Sequence, residues 1–466
     1  MNMKSKFSIL LVVLFTLTSI KVSLAQDLTI EYKTEVVKTL SQLMNDYYVF
    51  PEVAKTTQAH LESQLARGHF DEFIDNESFA KALTESVQSI NKDKHMKIWQ
   101  NPPFEAPKMT ADRMVEEKLH QLKRYRAYNG GFHAVKILEG NVGYIDLRGF
   151  AGVGQGKLFA DAYMKLIAQT DAVIIDLSNN GGGDPAMVQY LCSYFFDEVV
   201  HLNSLYFRNS DKTIDFFSLE KVDGEKMPDI PLFVITGKNT FSGAEEFSYN
   251  MQTQKRATLI GQTTGGGANP GGTRGINEHL SVFIPTGRAI NPITKTNWEG
   301  TGVVPELLTT EDETLTKAQT LAAAAAEEYR NKSDKEYKAG FLELANVLDS
   351  YDEKDADTVI EEAIKKGYST NIFNEEDINT LGYTYLMEYE KPVVARAIFR
   401  SNTILFPKSP NAYDSYAECY MMMGDLANSA LNYEKAVTIA KELKDPGLEF
   451  YEENLAKVKQ MIADKE

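Results

Sequence analysis

Cysteine is nearly absent: Cys192 and Cys419 are the only two in 466 residues. Two thiols cannot build a disulfide scaffold or a four-cysteine zinc site. Basic charge is also short, with 49 Lys and Arg against 66 Asp and Glu, a formal net charge of −17. A surplus of that sign repels phosphate backbones and anionic membrane surfaces, which excludes general nucleic-acid binding. Thirty Gly and fifteen Pro are too few for a collagen-like or disordered chain. Past the N-terminal stretch, no apolar run is long enough to span a membrane. The chain is well supplied with core-forming residues. Hydrophobic residues make up 43% of it, including 24 Phe and 23 Tyr, and its length suits about three domains.

The N-terminal stretch has the three parts of a secretory signal. Lys4 and Lys6 form a basic start, Phe7 to Ile20 an apolar run, and Ser23-Leu24-Ala25 a small-x-small cleavage site. The run is shorter than the roughly 20 residues a spanning helix needs. Cleavage before Gln26 is expected, and no Cys stands there for acylation. Losing residues 1–25 removes Lys4, Lys6 and Lys21 and no acid, which takes the formal charge from −17 to −20. The sequence therefore predicts an exported protein, periplasmic or extracellular, without a stable membrane anchor.

Periodicity divides the rest. Residues 26–95 read as a small helical domain, with Val36, Val37, Leu40, Leu43 and Met44 at i, i+3, i+4 spacing. Residues 96–312 form the next domain. Its first part, 100–140, is polar, Gly-punctuated and hard to assign. From 141 short β-branched runs alternate with helical stretches: Val142–Leu147, Ala172–Leu177, Leu232–Thr236 and Thr258–Gly261 as strands, and about 155–168, 185–196 and 243–253 as helices. That alternation predicts an α/β core with a largely parallel sheet. An Ala-rich connector, 313–335, is helical by propensity. Residues 336–466 carry a repeat of about 34 residues. Leu381, Gly382, Tyr385, Ala395, Phe399 and Pro407 recur as Tyr416, Ala417, Tyr420, Ser429, Tyr433 and Ala436, once one residue is inserted near Glu388–Pro392. The spacing resembles tetratricopeptide repeats, and a plain helical bundle is the alternative.

Three polar or Gly-rich clusters follow predicted strands, where α/β sheets open their crevices. The first is Asn179-Asn180-Gly181-Gly182-Gly183-Asp184-Pro185. In the second, Ser242 stands between a strand and a helix with Gly243 behind it, which can expose its hydroxyl beside a helix N-terminus. The third, 261–272, reads as a flexible loop. Taken alone, Ser242 also suits a plain helix N-cap. Gly152–Lys157 is no phosphate loop, because Leu158 stands where a magnesium-binding hydroxyl belongs, and it reads as a loop. The seven His (60, 69, 95, 120, 133, 201, 279) show no close metal-ligand spacing, so neither a metal nor an organic cofactor is expected.

Together the clusters do resemble a family. I-I-D-L-x-N-N-x-G-G, T-x-S-G-A-E-E, G-x-T-x-G and N-W-E-G-x-G-V-x-P-E (297–306) follow the motif order of the tail-specific, or C-terminal processing, serine peptidases. The resemblance spans about 30–310. It implies an α/β core of the crotonase/Clp-protease type, Ser242 as nucleophile, and the Gly243 and Gly182 N–H groups as oxyanion donors. Two departures stand out. The branch with a Ser–Lys dyad carries its Lys about 25 residues after the Ser, where this chain has Gly267. That branch usually inserts a PDZ domain before the core, and the 46 residues between His95 and Val142 cannot hold one.

A Ser nucleophile needs a base. The branch resembling the tricorn protease core and interphotoreceptor retinoid-binding protein supplies a His from a D-x-H motif and a downstream Glu, matched here by His95 and Glu299. Glu245, one turn into the helix after Ser242, is a candidate to support them, or a first-turn acid answering the helix dipole. The resemblance implies a secreted serine endopeptidase acting on peptides or unfolded protein tails, its C-terminal repeats available to a protein partner. A non-catalytic carrier of retinoid, lipid or peptide on the same fold is the alternative.

Overall fold

The computed structural model describes residues 28–102, 110–350, 356–369 and 372–465; the expected leader, 1–25, lies outside them. Two compact units divide the chain, 1–327 and 328–466.

In the first unit, α1 (Ile30–Tyr47), α2 (Pro51–Ala66) and α3 (Asn76–Asn91) bring the predicted stripe inward, burying Val36, Val37, Leu40 and Met44. Thr29 caps α1 and Asp75 caps α3, each accepting an N–H of the first turn. β1 (Ile98–Gln100) follows, then α4 (Ala111–Tyr128) and β2 (Phe132–Leu138). The α/β part runs β3 (Val142–Leu147), α5 (Val153–Ile167), β4 (Ala172–Asp176), α6 (Pro185–Cys192), β5 (His201–Phe207), β6 (Lys212–Phe217), β7 (Leu232–Thr236), α7 (Gly243–Thr253), β8 (Thr258–Gly261), β9 (Gly271–Gly275), β10 (Leu280–Pro285), β11 (Gly287–Ile290) and β12 (Leu307–Leu308). Gly152–Lys157, expected as a loop, is the N-cap and first turn of α5.

The main sheet has the order β12-β8-β7-β4-β3-β2. Every neighbouring pair in it is parallel except β2 with β3. Both faces are covered, which is why its strands read as unbroken apolar runs. Along β4, Val173 and Ile175 enter the core shared with Met164, Val188 and Phe247. Ala172 and Ile174 face the other way, onto Ala318, Ala322 and Ala326 of α8 (Glu311–Ser350). Alanines at i, i+4, i+8 let that helix lie close to the sheet. Two antiparallel three-stranded sheets, β1-β10-β9 and β11-β5-β6, complete the unit. The first shares its core with the N-terminal helices through Ile276, Leu280, Val282 and Ile284.

The second unit is helical: the end of α8, then α9 (Ala356–Ser369), α10 (Glu375–Tyr383), α11 (Pro392–Leu405), α12 (Pro410–Met422), α13 (Leu426–Leu443) and α14 (Leu448–Ala463). A π-helical turn, Thr384–Glu388, follows α10, and such a turn takes up one extra residue. Gly382 sits against Phe399, where a Cβ would come within 2.5 Å of the ring. Cys192 and Cys419 are both free and buried, one in each unit.

Candidate active site

Ser242 stands between β7 and α7 with φ 55° and ψ −121°. A side chain held there is strained by about 1–3 kcal/mol and persists only when its surroundings fix it. Three backbone bonds do so: Phe241 N–H to Asn180 O (3.0 Å), Ala244 N–H to Phe241 O (3.1 Å) and Glu246 N–H to Ser242 O (2.9 Å). The Ser242 N–H donates to Glu245 Oε2 at 2.9 Å.

Glu245 is fully buried and also accepts from Thr264 Oγ1 (2.5 Å), Gly266 N–H (2.6 Å) and Gly267 N–H (2.8 Å). Burial pushes its carboxyl above the usual range, against the pull of these donors. One carboxylate thus staples the third Gly-rich cluster to the turn that carries Ser242. That cluster was expected as a flexible loop and is instead pinned. Trp298 Nε1 donates to Gly267 O (2.8 Å), Gly300 N–H to Gly266 O (3.1 Å) and Gly265 N–H to Thr240 O (2.9 Å).

The first cluster packs against the same turn. Gly182 has φ +101°, and a Cβ on it would meet Gly243 N at 2.7 Å and Ser242 Cβ at 2.8 Å, so only glycine permits the approach. Its N–H donates to Asn180 Oδ1 at 2.8 Å. This occupies one of the two expected oxyanion donors, because Asn180 closes a side-chain turn over it. The N–H groups of Gly243 and of the next residue, Gly183, have no acceptor among the described residues. A Cβ on Gly243 would lie 3.1 Å from Gly183 N, so these two free donors sit together beside Ser242. Asn180 organises this corner: it is fully buried, and its Nδ2 donates to Leu147 O at 2.9 Å.

His95 arrives from the opposite side. α3 ends at a left-handed Lys92 (φ 59°), which turns the chain into Asp93-Lys94-His95. The imidazole packs on Phe241, the neighbour of Ser242, with ring centroids 4.6 Å apart, and on Phe283 at 5.9 Å. It fills the space over Gly267: a Cβ there would come within 2.7 Å of His95 Cε1 and 2.2 Å of Phe241 Cζ. The position where a Ser–Lys dyad would carry its Lys is therefore filled by the rings of Phe241 and His95. Burial and the charge of Lys97 lower the imidazole pKa to about 4, so the ring is neutral at neutral pH. Among the described residues no hydrogen bond joins Ser242 Oγ to His95, and His95 Nδ1 is buried without a partner.

Glu299 lies on the same side. Its Oε2 accepts the Ala268 N–H at 2.6 Å, while Oε1 is buried and unpartnered. Burial and the neighbouring Asp93 charge push its carboxyl up to about 8. Asp93, Glu299 and His95 place one ligand-type atom each within 4.8 Å of one another. Asp93 is fully buried and spoken for: Oδ1 accepts the His95 N–H (3.1 Å), and Oδ2 accepts Asn269 Nδ2 (2.9 Å) and Tyr48 Oη (3.4 Å). Burial raises its pKa too. His95 Nδ1, Glu299 Oε1 and Asn269 Oδ1 are left buried without a partner.

All the residues singled out in the sequence thus meet at one locality, in two groups. Ser242, Gly243, Gly182 and Glu245 form the nucleophile side, and His95 with Glu299 forms the other. Sequence reasoning gave no role to Asn180, Asp93, Asn269 or Phe241. Asn180 and Asp93 stood inside the quoted motifs, but their contacts join segments far apart in the chain.

Two family models match the chain. Peptidase family S41 matches residues 141–309, and the N-terminal domain of peptidase S41 in eukaryotic IRBP matches 29–127. Among solved structures, a candidate peptidase from Parabacteroides merdae is 18% identical with a TM-score of 0.46, over 62% of this chain and 96% of its own. A lipoprotein from Streptococcus agalactiae is 15% identical with a TM-score of 0.41, over 63% and 96%. The photosystem II D1 C-terminal processing protease is 11% identical with a TM-score of 0.38, over 60% and 93%. Among the described residues no helix is long and apolar enough to cross a membrane. On its family matches, with the motifs they cover gathered around Ser242, the chain belongs to peptidase family S41, the serine-type peptidases.

Proposed function

We propose that the protein is an exported endopeptidase that cleaves peptides or unfolded protein tails through Ser242, with His95 as base and Glu299 as the supporting acid. The observation that carries this reading is the His95 ring standing over Gly267, in the space a dyad lysine would need. Ser242 Oγ attacks the peptide carbonyl carbon while its proton passes to the neutral imidazole. The tetrahedral oxyanion is held by the Gly243 N–H and, since Asn180 holds the Gly182 N–H, by that of Gly183. His95 then returns the proton to the leaving amine, and the acyl-enzyme is hydrolysed by water activated at the same imidazole. Glu299, whose Oε1 has no other partner, orients the imidazole from its Nδ1 side. In the complex with substrate, Ser242 Oγ and His95 come within hydrogen-bond reach.

Hydrolysis of an unfolded protein substrate, followed by mass spectrometry, tests the reading. Ser242→Ala is expected to lower kcat by roughly 10⁴-fold or more. A wild-type protein that cleaves nothing while it binds retinoid or lipid would refute it. The C-terminal helices support a second part of the proposal: a docking surface for protein partners or whole-protein substrates, stacked as tetratricopeptide-like pairs. The leader-like N-terminus supports export to the periplasm or beyond.

A further inference from the structure

α4 presents an apolar stripe to solvent. Met114, Val115, Leu119 and Leu122 are 42–59% exposed, although a surface helix ordinarily turns such a stripe toward its core. Val115, Leu119 and Leu122 follow i, i+4, i+7 spacing and share one face. The opposite face carries Arg113, Glu117, His120 and Arg124, so the helix is amphipathic with its apolar side uncovered.

The charges on α4 are ordered along it. Its three acids, Asp112, Glu116 and Glu117, all lie in its first half beside Arg113 and Lys118, while its last eight residues hold Lys123, Arg124 and Arg126 and no acid. Arg113 is paired within the helix to Glu117 at 3.2 Å. Glu116 and Lys123, seven residues apart, flank the stripe on the same side, and neither has an ion-pair partner among the described residues. A two-fold axis near Leu119 reverses the helix. It sets Val115 against the partner's Leu122 and Glu116 against the partner's Lys123, so the surface complements itself in shape and in charge.

We infer that α4 is a self-association surface, where a second copy of this chain lays its own α4 antiparallel across the stripe. Its occupant is argued from the charge pattern. Glu116 and Lys123 flank the stripe toward its two ends with opposite charge, as an antiparallel copy requires, and a net charge of −17 on the whole chain disfavours an anionic membrane. One helix pair buries less than a standard interface, so the dimer is a weak one, with a dissociation constant on the order of 1–100 μM.

Sedimentation velocity on the full chain, across a concentration series, is the test. The wild type is expected to pass from monomer to dimer with rising concentration. Leu119→Asp with Leu122→Asp should abolish the dimer while leaving the circular dichroism spectrum unchanged. The decisive arm is the charge swap. Glu116→Lys alone and Lys123→Glu alone should each weaken association roughly threefold to tenfold, through like charges facing across the axis. Combining them should restore it, an outcome that a residue serving only the fold of α4 would not give. A wild type monomeric at roughly 500 μM, a dimer insensitive to the double Asp variant, or a double swap no better than the single ones would each overturn the inference. Binding of α4 to anionic vesicles by a monomeric wild type would overturn it as well.

Discussion

The two sides of the candidate site are built on opposite plans. On the Ser242 side the side chains that shape the turn are saturated: Glu245 alone takes four donors, and Asn180 uses its N–H, its O and both side-chain ends. On the His95 side three buried polar atoms, His95 Nδ1, Asn269 Oδ1 and Glu299 Oε1, have none, and acids crowd together. A buried polar atom left unpaired costs about 1–3 kcal/mol, so stability alone does not favour that arrangement. The contrast assigns different work to each side. The Ser242 turn is fixed in advance, whereas the groups proposed to handle the proton keep open valences for a reaction to use.

The strongest way to break the comparison is to unpin the ordered side. Glu245→Gln puts an amide among four donors and should lower unfolding stability by about 2–4 kcal/mol in urea titration, with activity lost in parallel. If stability is unchanged, the saturated network does not hold the Ser242 turn.

The open side predicts a pH effect of nearly that size. The carboxyl of Glu299 is raised to about 8 in the folded protein, above its ordinary 4.5. The sign follows from proton uptake: the folded state holds a proton that the unfolded state gives up. The stabilisation is complete below about pH 4.5 and is lost as pH rises through about 8. Unfolding free energy should therefore fall by roughly 2–3 kcal/mol between pH 6 and 9, and Glu299→Gln should flatten that slope. An equal slope in the variant would place the titrating group elsewhere.

A smaller effect sharpens the meeting point of the two sides. Gly267→Ala sets a methyl against His95 and Phe241 and is expected to lower kcat/KM by about 10- to 100-fold, since displacing a catalytic ring by an ångström is enough for that. Gly272→Ala is the control: nothing lies within 4 Å of its Cβ, and activity should stay within about twofold. Equal behaviour of the two variants would mean that the ring does not need its place over Gly267.

Much of this was legible in the sequence. The core strands and α7 read directly from short β-branched runs and helical spacing, because burial of both sheet faces writes itself as uninterrupted apolar residues. Ser242, His95 and Glu299 were singled out by motif order, and they meet in one place. The rest depends on long-range pairing. β9 reads Gly-Gly-Thr-Arg-Gly, a composition poor in strand propensity, and is a strand only because β10 lies beside it. α4 was hidden in a polar stretch whose apolar residues meet no core. The pinning of 264–267 comes from one Glu about twenty residues away, and the unpaired atoms of His95 and Glu299 belong to a geometry no local pattern encodes.

The central claim is that Ser242 is activated by His95 and not by a lysine. Labelling with a fluorophosphonate, followed by peptide mapping, tests it in the wild type, in His95→Ala, and in Lys94→Ala and Lys97→Ala, the lysines nearest in sequence. The account predicts an adduct on Ser242 in the wild type and in both lysine variants, with a rate at least about 100-fold lower in His95→Ala. Undiminished labelling of His95→Ala, or its loss in a lysine variant, would contradict it.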